Sequence, residues 1–193
     1  VYPRLLFSNL KDPKDAASVQ WIPSYVVQSM ENADGGKTMT FKLKPGVKYQ
    51  NIAPLNGREF TSADVKFSIE RYMKHPKSSF ANRFDDISSI ETPDKNTVVF
   101  KLKQPSRYLV SSLGAESALI TPPELENDYK TKAIGPGPFI HEQYLQGEGS
   151  TYKKNPDYVD AKNIWFNKYL IKVMTDAATR NAALKTNQID FVD

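Results

Sequence analysis

Residues 41–71 read FKLKPGVKYQNIAPLNGREFTSADVKFSIER, and this stretch decides the fold class because a strand pattern, a loop and a helix pattern follow without a break. Apolar and polar residues alternate from Thr40 to Pro45, which predicts a half-buried strand. Thr61 stands three residues before Asp64, the spacing of a capping box. In such a box the hydroxyl and the carboxylate satisfy backbone amides of the first helical turn, so a helix should begin here.

The helix that follows Thr61 should bury one stripe of its surface. Its apolar residues recur at helical spacing: Val65, Ile69, Tyr72 and Met73. Lys66 and Lys74 each stand four residues from Glu70 on the other side, which predicts ion pairs facing solvent. The sequence therefore indicates an amphipathic helix packed on a sheet.

The remaining patterns predict a mixed α+β layout. We expect a short helix over 22–30, a turn over 34–37, and a hairpin made by 87–92 and 96–103 around Pro93-Asp94-Lys95. A helix should run from Pro105 to Leu113 and end at Gly114. A second hairpin should join 139–144 to 150–154, followed by a strand over 168–173 and a last helix over 177–185 with Leu184 on its apolar side.

Composition excludes several classes of function. Lys and Arg number 26 against 22 Asp and Glu, and the net charge of +4 is spread along the chain, so nucleic acid is not an expected partner. The absence of cysteine excludes a disulfide scaffold, a thiolate metal site and a cysteine nucleophile. The chain contains no apolar run of membrane-spanning length, and VYPRLLFSNL at its start lacks the pattern of a signal peptide. With 193 residues, one domain is the default expectation.

Motifs for catalysis and metal binding are weak. His75 and His141 lie in no metal-binding frame, and no serine lies in a G-x-S-x-G motif. Gly135-Pro136-Gly137 lacks the Lys-Ser/Thr that follows a phosphate loop, so it indicates a turn or hinge. The acidic pairs Asp85-Asp86 and Glu124/Glu126 read as solvated surface, although the sequence leaves open a hydrolase whose carboxylates are brought together by the fold.

The block at 41–71 resembles the signature region of the family 5 extracellular solute-binding proteins, the receptors of ABC importers for oligopeptides, dipeptides, nickel complexes and some oligosaccharides. The resemblance rests on FKLKPGVKY and NGREFTSADVKFSIER and on their order. It extends over nearly the whole chain through IPSYVVQSMENADGGKTMTF, IETPDKNTVVFKLKQP, AIGPGPF, KKNPDYVDAKN and TRNAALKTNQIDFV. Two departures stand out: Pro136 where the family usually has Thr, and Asn187-Gln188 where it usually has Gly-Glu.

The resemblance implies that residues 1–193 are a single fragment of a larger receptor. They would form most of the N-terminal lobe, lobe one, of a two-lobed fold like that of periplasmic binding proteins, with the second lobe and the first strand absent. IDFVD at 189–193 resembles the strand from which the family's chain crosses into the second lobe.

The resemblance also implies a ligand-binding surface, formed by 80–84 and 114–117. Six residues would contribute to it: Phe80, Asn82, Arg83, Phe84, Glu116 and Ser117. The two phenylalanines would offer apolar faces, Arg83 a forked donor for a carboxylate or carbonyl, and Glu116 a partner for a cationic group. Asn82 and Ser117 would supply neutral hydrogen bonds. The residues themselves leave an alternative open, in which Phe80 and Phe84 simply pack a short helix onto the core.

The function implied is the substrate-binding component of an ABC importer, without catalysis and without a cofactor. Its partners would be a peptide or similar small solute and a membrane permease, and the protein would be a monomer. It would work outside the cytoplasm, in the periplasm or on the outer face of the cell membrane, where a lipid anchor is an option. A sensory or regulatory protein that uses the same domain, and the hydrolase mentioned above, remain as alternatives.

Overall fold

The chain begins with two paired strands. The computed structural model describes residues 1–11 and 19–192. β1 (Leu6–Leu10) and β2 (Val19–Pro23) are antiparallel, and Phe7 lies opposite Ile22. The prediction of a helix over 22–30 is wrong, because this segment contains the last two residues of β2, a turn and the first half of the next strand. Its β-branched and aromatic residues favour extended backbone, and Pro23 has no amide to donate to a helix.

A four-stranded antiparallel sheet follows, in the order β3-β4-β6-β5. Its strands are β3 (Val27–Ala33), β4 (Thr38–Leu43), β5 (Ile87–Asp94) and β6 (Thr97–Leu102). The inner face is apolar, and the Phe41 and Phe100 rings meet edge to face with centroids 5.8 Å apart. The strand expected from the alternation at 40–45 and the hairpin around Pro93-Asp94-Lys95 are both confirmed.

Helix α1 (Ser62–Lys74) covers this sheet and begins at the predicted capping box. The Thr61 amide donates to Asp64 Oδ2 at 2.8 Å. Val65 and Ile69 are fully buried, and Lys74 forms an ion pair with Glu70 at 3.1 Å on the solvent side. Helix α2 (Arg107–Gly114) starts slightly later than expected, at the Ser106 cap, whose hydroxyl accepts from the Leu109 amide.

The last third of the chain forms a separate small sheet. Strands β7 (Phe139–Leu145), β8 (Gly149–Lys154) and β9 (Lys168–Lys172) pair antiparallel in chain order, and helix α3 (Ala177–Lys185) follows. These elements match the sequence expectations, except that Ala183 is buried whereas Leu184 is exposed. Residues 189–192 pair with no described strand, and Asp193 lies outside the described residues.

The segment Gly135–Pro138 connects the two parts of the chain. The Gly137 amide donates to the Val1 carbonyl at 3.0 Å, and Asn155 Nδ2 donates to the Gly137 carbonyl at 2.9 Å. The buried Gln50 donates from Nε2 to the Phe139 carbonyl at 3.0 Å. A side chain at Gly135 or Gly137 would collide with the Val1 carbonyl, so this connection depends on glycine. Within the described residues, no helix has the length and apolar character to cross a bilayer.

Candidate functional site

The first part of the candidate site is a short 3-10 turn, Ala81–Phe84, that follows α1. The Arg83 amide closes this turn on the Phe80 carbonyl at 3.0 Å. Phe80 and Arg83 are half-buried, while Asn82 is exposed. The turn therefore presents a ring, an amide and a guanidinium group close together on one short segment.

Tyr72, near the end of α1, fixes this turn against the core. Its ring stacks on Phe84 at 5.8 Å and meets Phe80 edge to face at 6.2 Å. Phe84 is only 1% exposed, so the prediction that it offers a face to a ligand is wrong, and the packing alternative applies to it. Its ring is enclosed in the hydrophobic core, with Tyr72 stacked on it, which the i, i+4 spacing of the two phenylalanines does not reveal.

The second part of the site is the turn after α2. The Ala118 amide donates to the Ala115 carbonyl at 2.9 Å, so residues 115–118 form a tight turn. Tyr72 also holds the segment that follows this turn, because its hydroxyl donates to the Leu119 carbonyl at 3.0 Å. Burial raises the pKa of Tyr72, which keeps this hydroxyl protonated and able to donate. One tyrosine thus positions both parts of the site.

Arg83 joins the two parts directly. Its Nη1 donates to Ser117 Oγ at 3.0 Å, and its guanidinium carbon lies 4.8 Å from the centre of the Phe80 ring. Stacking and one hydrogen bond fix the plane of the guanidinium group, and its other N–H donors have no partner in the part of the chain that the structure describes. The structure therefore brings Phe80, Arg83 and Ser117 together, as the sequence analysis expected.

Asn82 and Glu116 lie on the same two turns but are exposed. Neither side chain hydrogen bonds to another described residue, and Glu116 forms no ion pair within that part of the chain. They are available to a ligand, but nothing in the structure fixes their orientation.

A second polar cluster, missed by the sequence analysis, surrounds Arg58. Its guanidinium group donates to both oxygens of Asp64, at 3.0 and 2.6 Å, and to both oxygens of Glu124, at 2.5 and 2.7 Å. It also lies over the Tyr49 ring at 4.7 Å. Burial acts to lower the pKa of Arg58, but the hydrogen bonds to the two carboxylates outweigh it and raise the pKa.

The Arg58 cluster is a structural clamp. It ties the loop before α1 to the first turn of α1 and to the segment at 123–125. Arg58 lowers the pKa of Glu124, so this carboxylate is held ionised as an acceptor and is poorly suited to exchange protons. The other acidic and histidine candidates are spread over the surface, and no group of three or more His, Asp and Glu in the described residues could hold a metal ion.

Solved structures with this fold are periplasmic binding proteins. The PBP AgaA of A. tumefaciens R10, in complex with agropinic acid, superposes with a TM-score of 0.82 and 28% identity over 98% of this chain and 37% of its own. The oligopeptide-binding protein AppA of Bacillus subtilis, in complex with a nonapeptide, superposes with a TM-score of 0.82 and 25% identity over the same shares of the two chains. The chain thus has the fold of part of a periplasmic binding protein.

The chain belongs to the bacterial extracellular solute-binding proteins of family 5, whose middle region matches residues 20–193. A Brucella ovis protein named for ABC-transporter peptide binding is 32% identical over 84% of this chain and 33% of its own length. Di/tripeptide-binding protein 3 of Pseudomonas aeruginosa is 28% identical over 84% of this chain and 35% of its own length. The chain spans about a third of the length of these curated relatives.

Proposed function

We propose that residues 1–193 form part of one lobe of a receptor that binds a peptide or a similar small solute and delivers it to an ABC permease. The observation that carries this proposal is the Phe80–Arg83–Ser117 surface, in a chain of family 5. Relatives named for peptide and di/tripeptide binding support a peptide as the first class of ligand to test.

The surface suits a peptide because it combines an apolar face with hydrogen-bond donors. The exposed part of the Phe80 ring contacts a ligand side chain. The free N–H groups of Arg83 bind a carbonyl or carboxylate, and Ser117 holds the guanidinium group in place. Asn82 and Glu116, on the rim, add hydrogen bonds or a charge pair. Phe84 acts only through packing, by supporting Tyr72.

The residues that face this surface across the ligand belong to another lobe of the full-length receptor. Large apolar side chains are exposed on the small sheet and on the segments beside it, which supports the idea that further chain covers this region: Tyr144, Leu145, Trp165, Phe166, Leu170, Ile171, Val173 and Phe191. Trp165 is 90% exposed and Phe191 77%, and such exposure is unusual for aromatic side chains on the surface of a folded protein. The relatives are about three times as long, which leaves ample chain for a second lobe.

Transport by such a receptor requires binding and closure, and no bond in the ligand is broken. A ligand held between two lobes stabilises the closed state, which the permease recognises. The receptor works outside the cytoplasm, as a monomer and without a cofactor, and a lipid anchor is one way to keep it at the membrane. The hydrolase alternative loses one of its candidate carboxylates, since Arg58 holds Glu124 in an ion pair.

Calorimetric titration of the full-length protein with neutral tripeptides, starting with Ala-Ala-Ala, tests this proposal. We expect saturable binding that weakens about tenfold in Arg83→Gln, because a hydrogen bond from a charged donor is lost. Arg107→Gln is the matched control, since Arg107 is an exposed arginine at the far end of α2. Binding unchanged by Arg83→Gln, or no binding of any tripeptide, neutral or acidic, would overturn the proposal.

A further inference from the structure

A second arginine contacts the same turn after α2. Arg4 Nη1 donates to the Gly114 carbonyl at 3.1 Å, and its guanidinium carbon lies 5.2 Å from the centre of the Phe7 ring. Arg4 is half-buried, and it reaches α2 from the β1 side, whereas Arg83 reaches the turn from the 3-10 segment after α1.

The two arginines are used in the same way. Each stacks on a phenylalanine and spends one N–H on the segment Gly114–Ser117. Neither forms an ion pair with a carboxylate anywhere in residues 1–11 and 19–192. Planar forks held in this way are prepared for a carboxylate, since most of their donors have no partner among the described residues.

Trp21 adds an apolar wall beside Arg4. The six-membered ring of its indole lies directly against Gly114, so closely that a Cβ atom at this position would overlap it. Glycine at 114 is therefore needed for Trp21 to lie here, and Trp21 is half-buried, so part of its ring remains accessible. Arg4 and Trp21 thus both contact Gly114, and the guanidinium group of Arg4 stacks on Phe7 as that of Arg83 stacks on Phe80.

We propose that Arg4 and Trp21 form a second ligand subsite, which binds an acidic group of the solute while Arg83 binds another. Gly114 and Ser117 are three residues apart, so their Cα atoms lie within about 11 Å of each other. Two acidic side chains of one short peptide can span this distance, because each extended residue adds about 3.3 Å. The preferred ligand class is therefore an acidic peptide.

This inference deepens the proposed function and depends on it for its biological meaning. The competing explanation is that Arg4 only caps α2, since a cation near the last carbonyls of a helix is stabilising on its own. A cap would contribute to folding but would not distinguish an acidic ligand from its neutral isostere. The discriminating quantity is thus a ratio of two affinities.

We would measure, by calorimetry on the full-length protein, the affinity for Glu-Ala-Glu divided by that for Gln-Ala-Gln. The ratio should exceed one in the wild type, fall about fivefold in Arg4→Gln and again in Arg83→Gln, and recover partly in Arg4→Lys. Arg107→Gln should leave it unchanged, and raising the salt concentration should lower it.

Three results would overturn the subsite. A ratio near one in the wild type would mean that no acidic group is recognised, even if Ala-Ala-Ala binds and the proposed function stands. A ratio that falls in Arg83→Gln but not in Arg4→Gln reduces Arg4 to a helix cap. Equal losses in Arg4→Gln and Arg107→Gln would mean general attraction between charges rather than a subsite.

Discussion

Arg83 Nη1 and Ser117 Oγ lie 3.0 Å apart although 34 residues separate them in the chain. This single contact joins the 3-10 turn after α1 to the turn after α2. It also determines which way the guanidinium group points, because the Phe80 ring fixes its plane and Ser117 fixes its rotation. The proposed ligand surface depends on these two residues staying together.

Replacing Ser117 tests this relationship. In Ser117→Ala the guanidinium group of Arg83 loses its anchor, so peptide affinity of the full-length protein should fall severalfold, while the free energy of unfolding should fall by only about 1 kcal/mol. Ser111→Ala is the control, because the Ser111 hydroxyl donates to the Tyr108 carbonyl within α2 and holds no arginine. An affinity equal to that of the wild type would separate Ser117 from the site.

The two phenylalanines should behave differently on truncation. Phe84→Ala should lower the free energy of unfolding by about 3 to 5 kcal/mol, because the ring is buried and its loss leaves a cavity. Phe80→Ala should cost about 1 to 2 kcal/mol, since that ring is only partly buried, but it should weaken peptide binding. Urea denaturation of both variants measures the difference, and equal costs would contradict the assignment of Phe80 to the surface.

Arg58→Ala should be among the most destabilising polar substitutions in the chain. Asp64 is 2% exposed, so removing its partner leaves a buried carboxylate uncompensated, at a cost of about 3 to 5 kcal/mol. Lys95→Ala, which removes an exposed pair with Glu59, should cost about 1 kcal/mol or less. Chemical denaturation compares the two variants. Similar small costs would show that Arg58 is not a clamp.

The Glu124–Arg58 contact should make stability depend on pH in the acid range. Because Arg58 lowers the pKa of Glu124 in the folded state, the unfolded state binds the proton more readily. The stabilisation is complete above the unfolded pKa, about 4.3, and is lost as the pH falls through the lower folded pKa. Thermal unfolding at several pH values should therefore show a flatter acid profile for Glu124→Gln. An identical profile for both proteins would exclude this source of pH dependence.

Local sequence signals predicted most of the elements. The Thr61–Asp64 spacing located the start of α1, and Pro93-Asp94-Lys95 located the turn between β5 and β6. Both features depend on residues close together in the chain. The prediction of a helix over 22–30 was wrong for the opposite reason. β2 is stabilised by pairing with β1, and a local sequence pattern does not indicate such a contact.

The site was only partly predictable from the sequence. Phe80 and Phe84 look equivalent along the chain, and only the position of Tyr72 makes one of them accessible and the other buried. Arg4 and Arg58 lie in no recognisable motif, because they contact residues far away in the chain. Arg4 donates to the Gly114 carbonyl, and Arg58 donates to Glu124. One local sign of the role of Tyr72 in positioning the site was its hydroxyl group, which stands at the end of the apolar stripe of α1.

The measurement that tests the central claim most directly is a calorimetric comparison of two proteins with one peptide. The full-length protein and the chain 1–193 would each be titrated with the tripeptide that the full-length protein binds best. Because a ligand between two lobes gains much of its binding energy from each side, we predict saturable binding by the full-length protein and no measurable binding by the chain alone. Micromolar affinity of the isolated chain would contradict the account.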